Sequence, residues 1–331
     1  MNKYLISVDI EGITGVINRD FANKNGKYHK QACRYMTHDT NAVVQGILNA
    51  DSDAFIVVRD AHDYDAVNLD LETLHPKANL VQGWGAMQDI LAGLDQTFKG
   101  VFLVGFHAGG QNNKAILGHT LHSITHHIKI NDQLINETGW AAFCASHCNV
   151  PVAFISGDDH AVKEAKEQLG EIVGVEVKKS FARDSGISLS LEQAQLLLEK
   201  GAEEATIKAE IAQVEADVAK KEVEAIHKHT RESIEYASLI QGAVVSQESE
   251  IQPYFKDSFV YWEPKDTVGG DIWLFNELRH EDECLLLFID CTGHGVPGAF
   301  VTMIVKAVER EIAVKINDDP TIEVSPAWVM A

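Results

Sequence analysis

The chain has no apolar run approaching the roughly 18 residues that a membrane-spanning helix requires. Its first apolar run, residues 4–8, stops at Asp9, unlike the core of a secretory leader. A cytoplasmic protein that does not use the membrane is expected. Cysteine is scarce: the five residues, an odd number, are scattered from Cys33 to Cys291, which fits reduced thiols and not a disulfide framework. Positive charge is in short supply too. Against 49 Asp and Glu stand 28 Lys and Arg, a formal net charge of −21 that would repel nucleic acid and anionic lipid as partners. Metal ions and small cationic ligands suit such a chain better. No internal repeat and no low-complexity tract is present.

What is there fills more than one hydrophobic core, because 331 residues exceed what a single core usually holds. Four apolar, β-branched runs, residues 4–8, 54–58, 101–106 and 152–155, alternate with helix-like stretches such as 37–49 and 160–169. Continuous apolar strands between helices indicate a mostly parallel sheet covered on both faces, an α/β fold. The texture changes near Ser190, where Ser-Leu-Glu-Gln can form a capping box and no proline follows for several turns. Ile207, Ile211, Val214 and Val218 keep a four-three spacing that Lys221 breaks. This long helix reads either as a connector or dimer seam, or as an amphipathic helix packed on its own domain. Strands return at 258–262, 271–275 and 284–289, followed by a helix over 299–314, a small α+β segment.

The polar residues at the strand ends carry the chemistry. Asp9 and Glu11 flank Ile10, and alternate side chains of an extended chain share a face, so both carboxylates can point to one spot. The second run ends in Arg59-Asp60-Ala61-His62 and the third in Gly105-Phe106-His107. Ligands of open parallel sheets gather outside the carboxyl ends of the strands, so three strands deliver candidate metal ligands to one rim. Glu137 follows an alternating segment, 127–135, whose Asn131-Asp132 centre predicts a hairpin turn. Mixed carboxylate and imidazole donors suit zinc above all, with manganese or cobalt as alternatives. Five ligands hold two ions if one carboxylate bridges. Cys144, His147 and Cys148 resemble a metal cluster, yet the pattern around them is helical and apolar, and small core cysteines explain them better.

Residues 7–12 (SVDIEG), Asp60-Ala61-His62, Gly105-Phe106-His107-Ala108, Gly118-His119-Thr120 and Gly157-Asp158-Asp159 together resemble the DppA-type zinc D-aminopeptidases over about residues 1–205. The resemblance implies hydrolysis of the N-terminal residue of short D-amino-acid peptides and two zinc ions. Asp9 would bridge, Glu11 and His62 would bind one ion, His107 and Glu137 the other, and His119 would be catalytic. His122, His126 and His127 read as strand or surface histidines beside it. Asp158 and Asp159 read as a cap on the helix that starts near His160. A small peptide substrate and a homo-oligomer are implied as partners, although the family's final domain, on which its ring assembly can depend, is absent here.

From about Lys220 the chain resembles a different family. Residues 229–234 (HTRESI), 264–271 (PKDTVGGD) and 290–298 (DCTGHGVPG) are similar to the start of SpoIIE/RsbU-like PPM-type serine/threonine phosphatases. That likeness implies manganese or magnesium at Asp271 and Asp290, but further aspartates of that family are missing, so half a site is expected. The domain expectation is therefore 1–205 for the aminopeptidase-like α/β domain, 206–242 for a helical connector and 243–331 for a truncated phosphatase-like segment. The rival readings are a signalling protein with a phosphoserine phosphatase output and a non-catalytic fusion that only binds metal.

Overall fold

The computed structural model describes residues 1–84, 89–122, 125–263, 266–279, 283–291, 295–325 and 329. Pro264, Lys265, Thr292, Gly293 and His294 of the phosphatase-like motifs lie outside these. The chain divides into two units, Met1–Asp217 and Val218–Ala331.

In the first unit the apolar runs become strands because each can bury both faces. In order come β1 (Lys3–Val8), α1 (Arg19–Ala22), α2 (His29–Ala50), β2 (Phe55–Asp60), β3 (Ala78–Val81), a 3-10 turn (Asp89–Leu91) and β4 (Phe98–Val104). Then follow β5 (Ile128–Ile130), β6 (Gln133–Ile135), α3 (Glu137–His147), β7 (Val152–Asp158), α4 (Asp159–Leu169), β8 (Val173–Ala182), β9 (Ser185–Ser188) and α5 (Leu191–Val244). Seven strands form one sheet in the order β3-β2-β1-β4-β7-β8-β9, parallel except for β9. Alternation divides its core in two. Tyr4, Ile6, Val8, Phe102 and Phe154 pack on one face with Met36 and Ile47 of α2 and Leu198 and Ala202 of α5. Leu5, Val101, Leu103 and Ile155 pack on the other with Ala141 and Ala145 of α3 and Ala165 of α4.

The strand order reverses between β1 and β4, since β2 and β3 build outward on one side and β4 and β7 on the other. Such a switch point opens a crevice at the carboxyl ends of the two central strands. The small sheet of β5 and β6 turns through Asn131 and Asp132, both at positive φ (50° and 64°), as the Asn-Asp centre predicts. Ser190 caps α5 by accepting from the Gln193 N–H at 3.2 Å, and the Gln193 amide oxygen takes the Ser190 N–H at 3.5 Å.

The second unit holds the rest of α5, then α6 (Glu248–Ile251), the antiparallel pair β10 (Asp271–Leu278) and β11 (Glu283–Asp290), and α7 (Gly295–Asp318). Its core gathers Val245, Ile251, Ile272, Trp273, Leu274 and Phe275. The strand expected over 258–262 does not form. Val260 and Trp262 still pack inward while Phe259 and Tyr261 are exposed, so the alternation is there but no neighbouring strand pairs with the segment among the described residues. Among the described residues no helix is long and apolar enough to cross a membrane.

Candidate active site at the carboxyl rim of the sheet

Asp9 follows the last residue of β1, His62 lies two residues past β2 and His107 three past β4, so parallel strands bring all three to one rim. Close approach of the two central loops demands glycine at two positions. A Cβ on Gly12 would lie 2.1 Å from the Phe106 carbonyl oxygen, and one on Gly105, at φ +70°, would lie 2.2 Å from that of Asp9. The Gly12 N–H instead donates to the Gly105 carbonyl at 2.6 Å. Glu137 is delivered by the first turn of α3, whose cap Asn136 accepts from the Gly139 N–H at 3.0 Å. The Asn136 amide and the Gly109 N–H both donate to the Glu164 carboxylate at 2.8 Å, which ties the start of α3 to the loop beyond His107.

The side chains converge on Asp9. One of its oxygens, Oδ1, lies 3.0 Å from His62 Nδ1, and the other, Oδ2, lies 3.4 Å from His107 Nε2. His62 Nδ1 is also 3.2 Å from Glu11 Oε2, and His107 Nε2 is 3.3 Å from Glu137 Oε1. Two sets of donor atoms result, Asp9 with Glu11 and His62, and Glu137 with His107 and His119, each within 4.8 Å of one another. His119, set apart from the ligands in sequence, thus shares the second set; its Nε2 is 3.7 Å from Glu137 Oε1. Its position is fixed by strained backbone on either side, with Leu117 and Leu121 at φ 54° and 57°. The Leu121 N–H donates to Glu137 Oε1 at 2.7 Å.

Each of the three imidazoles has one nitrogen on a backbone carbonyl. His62 Nε2 donates to Ala22 (2.9 Å), His107 Nδ1 to Ala108 (2.9 Å) and His119 Nδ1 to Leu117 (3.0 Å). A carbonyl oxygen only accepts, so those nitrogens carry the hydrogen, and in a neutral ring the opposite nitrogen presents a lone pair. That lone pair faces carboxylate oxygens in every case. Acceptor against acceptor is repulsive unless a proton or a metal cation lies between, and an imidazole anchored through its far nitrogen is the usual outer support of a metal ligand. Glu11 Oε2 and His107 Nε2 are buried and make no hydrogen bond, as expected of atoms reserved for a cation. The donor set therefore fits divalent metal.

The charged groups of the site lie close enough to shift one another. Burial alone would push the Asp9 carboxyl up, yet the adjacent imidazoles of His107 and His62 outweigh it and hold it well below the carboxylate range. Burial disfavours the charged form of His62, but Glu11 and Asp9 raise it well above 6.5; burial likewise opposes His107, which Glu137 and Asp9 raise well above 6.5. Glu137 is pushed up by burial and, more strongly, down by His107 and His119.

Supporting residues escaped sequence reasoning. Lys178 of β8 is buried, and its ammonium donates to the carbonyls of Glu11 (2.5 Å), Ile13 (3.1 Å) and Val16 (2.5 Å), bracing the loop that carries Glu11. Burial lowers its pKa to about 8, partly offset by Asp158 and Glu11. Its sequence signal, a lysine at an inward strand position, looks like any exposed one. Asp158 is a cap, accepting from Ala161 N–H at 2.7 Å while its other oxygen holds the Ile116 N–H at 2.8 Å. Asp159 accepts from the Ser180 N–H at 2.9 Å. Cys144 and Cys148 pack half-buried against the second core, and neither belongs to a donor group of three among the described residues. His126 and His127 are exposed and meet each other edge to face. In the second unit Asp271 and Asp290 stand opposite on β10 and β11, both exposed, with no third donor completing a group among the described residues.

A doubly wound sheet whose switch point gathers two carboxylate-imidazole donor sets, with Asp9 of one reaching His107 of the other, defines the class: a metal-dependent hydrolase. The D-aminopeptidase model of the M55 peptidases matches residues 2–258, and the chain belongs to that family. A D-aminopeptidase of Bacillus subtilis (strain 168) is 32% identical over 201 residues, 60% of this chain and 72% of that protein. The solved structure of the Zn-dependent D-aminopeptidase DppA from Bacillus subtilis, described as a self-compartmentalizing protease, superposes with a TM-score of 0.61 at 30% identity, over 63% of this chain and 75% of that one. The SiaA-PP2C domain of Pseudomonas aeruginosa is 35% identical over 28% of this chain and 37% of its own, but a TM-score of 0.25 carries no argument about the fold.

Proposed function

We propose that this chain removes the N-terminal residue from short peptides that begin with a D-amino acid, using two zinc-class cations and His119. The observation that carries this reading is Asp9, whose two oxygens face two separate donor sets. Glu11 and His62 would hold one cation, His107 and Glu137 the other, and Asp9 would belong to both. Zinc fits these borderline donors best, with manganese or cobalt next. When bound, such a pair lowers the pKa of a shared water, polarises the scissile carbonyl and steadies the developing oxyanion.

The chain's own residues supply the rest. The carbonyl-anchored imidazoles keep their lone pairs turned inward, and burial of Asp9, Glu11, His107 and Glu137 keeps bulk water from weakening their fields. His119 Nε2 takes the proton of the attacking water and returns it to the nitrogen of the departing amine as the C–N bond breaks. The family supplies the D-preference. The self-compartmentalizing relative supports a homo-oligomer, and five cysteines outside any disulfide suit a cytoplasmic location. Residues 1–205 would form the enzyme, 206–242 a helical connector and 243–331 a phosphatase-like segment with no output of its own.

Metal analysis of the purified chain together with turnover of matched D-alanyl and L-alanyl dipeptides tests the reading. Close to two ions per chain and hydrolysis of the D-peptide only are expected. Preference for the L-peptide, or turnover unaffected by a chelator, would sink it.

A further inference from the structure

Asp9, Glu11, His62 and Glu137 form one side of a cavity of about 820 Å³ that Arg19, Lys24 and Arg183 also line. Three cations in one cavity are notable in a chain with 49 acidic and 28 basic residues. Lys24 is paired with Asp65. Among the described residues, neither Arg19 nor Arg183 has a carboxylate within ion-pair distance, and Arg19 is exposed at the start of α1.

Arg183 is different. It is half-buried in the tight turn between β8 and β9, and its carbonyl accepts from the Leu117 N–H at 3.0 Å. The Leu117 carbonyl in turn accepts from His119 Nδ1 at 3.0 Å. One short chain of hydrogen bonds therefore fixes the backbone of Arg183 relative to the imidazole of His119. Arg183 lines the cavity from that fixed backbone, and its guanidinium, which cannot shed its charge, is a two-pronged donor for a planar anion.

We propose that Arg183 binds the free α-carboxylate of the substrate and so makes the enzyme selective for short peptides with an unblocked C-terminus. The inference rests on the aminopeptidase reading. A short peptide carries its carboxylate only a residue or so beyond the scissile bond, so that carboxylate suits the arginine wall while the bond itself lies toward the donor sets. Anchoring that end positions the scissile bond, which longer or amidated peptides cannot match because they carry no charge at that place.

The test compares a D-alanyl dipeptide with its C-terminal amide, using the metal-loaded full chain, in wild type, Arg183→Gln and Arg183→Lys. Wild type should favour the free acid in kcat/KM by about tenfold to a hundredfold, the range of one charge-assisted contact. Arg183→Gln should raise KM for the acid by about the same factor, with the amide changed less than about twofold; Arg183→Lys should keep part of the preference. Equal wild-type rates on acid and amide would overturn the proposal. So would an equal fall in kcat on both in Arg183→Gln, which would mark a structural disturbance of His119. If neither peptide is hydrolysed, the aminopeptidase reading fails, and calorimetric binding of the same two compounds decides separately: an Arg183-dependent preference for the acid upholds the clamp, and its absence refutes it.

Discussion

His107 and His119 stack face to face, with ring centroids 3.9 Å apart and planes 13° from parallel. Both rings are held by backbone carbonyls through Nδ1, and both turn Nε2 toward Glu137. The two differ in what else they reach: His107 Nε2 also lies 3.4 Å from Asp9, while His119 is at the more open edge and lines the cavity. Removing His119 should therefore spare the cations and strike the proton transfer. His119→Ala is expected to keep the metal content of the wild type and lower kcat by about a hundredfold or more. Loss of half the metal in that variant would show His119 to be a ligand instead.

Asp9 belongs to one donor set and reaches His107 of the other at 3.4 Å, whereas Glu11 meets only His62 among the three histidines. Asp9→Ala should then empty both positions, whereas Glu11→Ala should leave close to one ion per chain. Elemental analysis after dialysis against low zinc distinguishes them. Equal metal content in the two variants would remove Asp9 from its shared role.

The paired imidazoles and carboxylates set a pH dependence whose sign follows from their shifts. His62 and His107 are raised well above 6.5 in the metal-free protein, mainly because Glu11 and Glu137 overcome the opposing effect of burial. Their contribution to stability is complete below the unfolded value near 6.5 and is lost as pH climbs through the raised folded values. Asp9 and Glu137 are lowered, so theirs is complete above the ordinary carboxylate range and is lost on acidification. Chelated protein should accordingly melt at a lower temperature at pH 9 than at pH 6.5, and zinc should abolish that alkaline decline. Zinc must displace the imidazole protons, so its binding at pH 7 should release protons, and its affinity should rise with pH. Calorimetry in buffers of different ionisation enthalpy measures the release; none released would contradict the proposed ligands.

Asp271 and Asp290 face each other across β10 and β11 but stand exposed and without a third partner in a donor group among the described residues. A hard divalent ion wants about six oxygens and would have to take most of them from water here. Asp290→Asn should leave D-peptide turnover and metal content unchanged, and the wild type should show no manganese-dependent hydrolysis of a phosphoserine peptide. Such hydrolysis, if lost in Asp290→Asn, would give the second unit an activity of its own.

Much of this protein is legible in one dimension. The central strands announce themselves because both their faces are buried, which leaves continuous apolar runs, and Asp9, Glu11, His62 and His107 stand at their carboxyl ends where a parallel sheet must gather them. The Asn131-Asp132 turn and the Ser190 cap are local chemistry, complete within a few residues. The edge strands β3 and β9, and β8 beside β9, are silent in sequence because each leaves part of its side chains exposed or half-buried, and their mixed patterns match those of loops. The segment 258–262 kept a strand's alternation yet formed none, since a ladder needs a neighbour that periodicity cannot supply. Only the tertiary structure decided which oxygen of Asp9 faces which histidine, put Lys178 beneath the Glu11 loop across 167 residues of chain, and tied Arg183 to His119. Those relations depend on strand order and on which carbonyl each ring nitrogen finds, and spacing along the chain encodes neither.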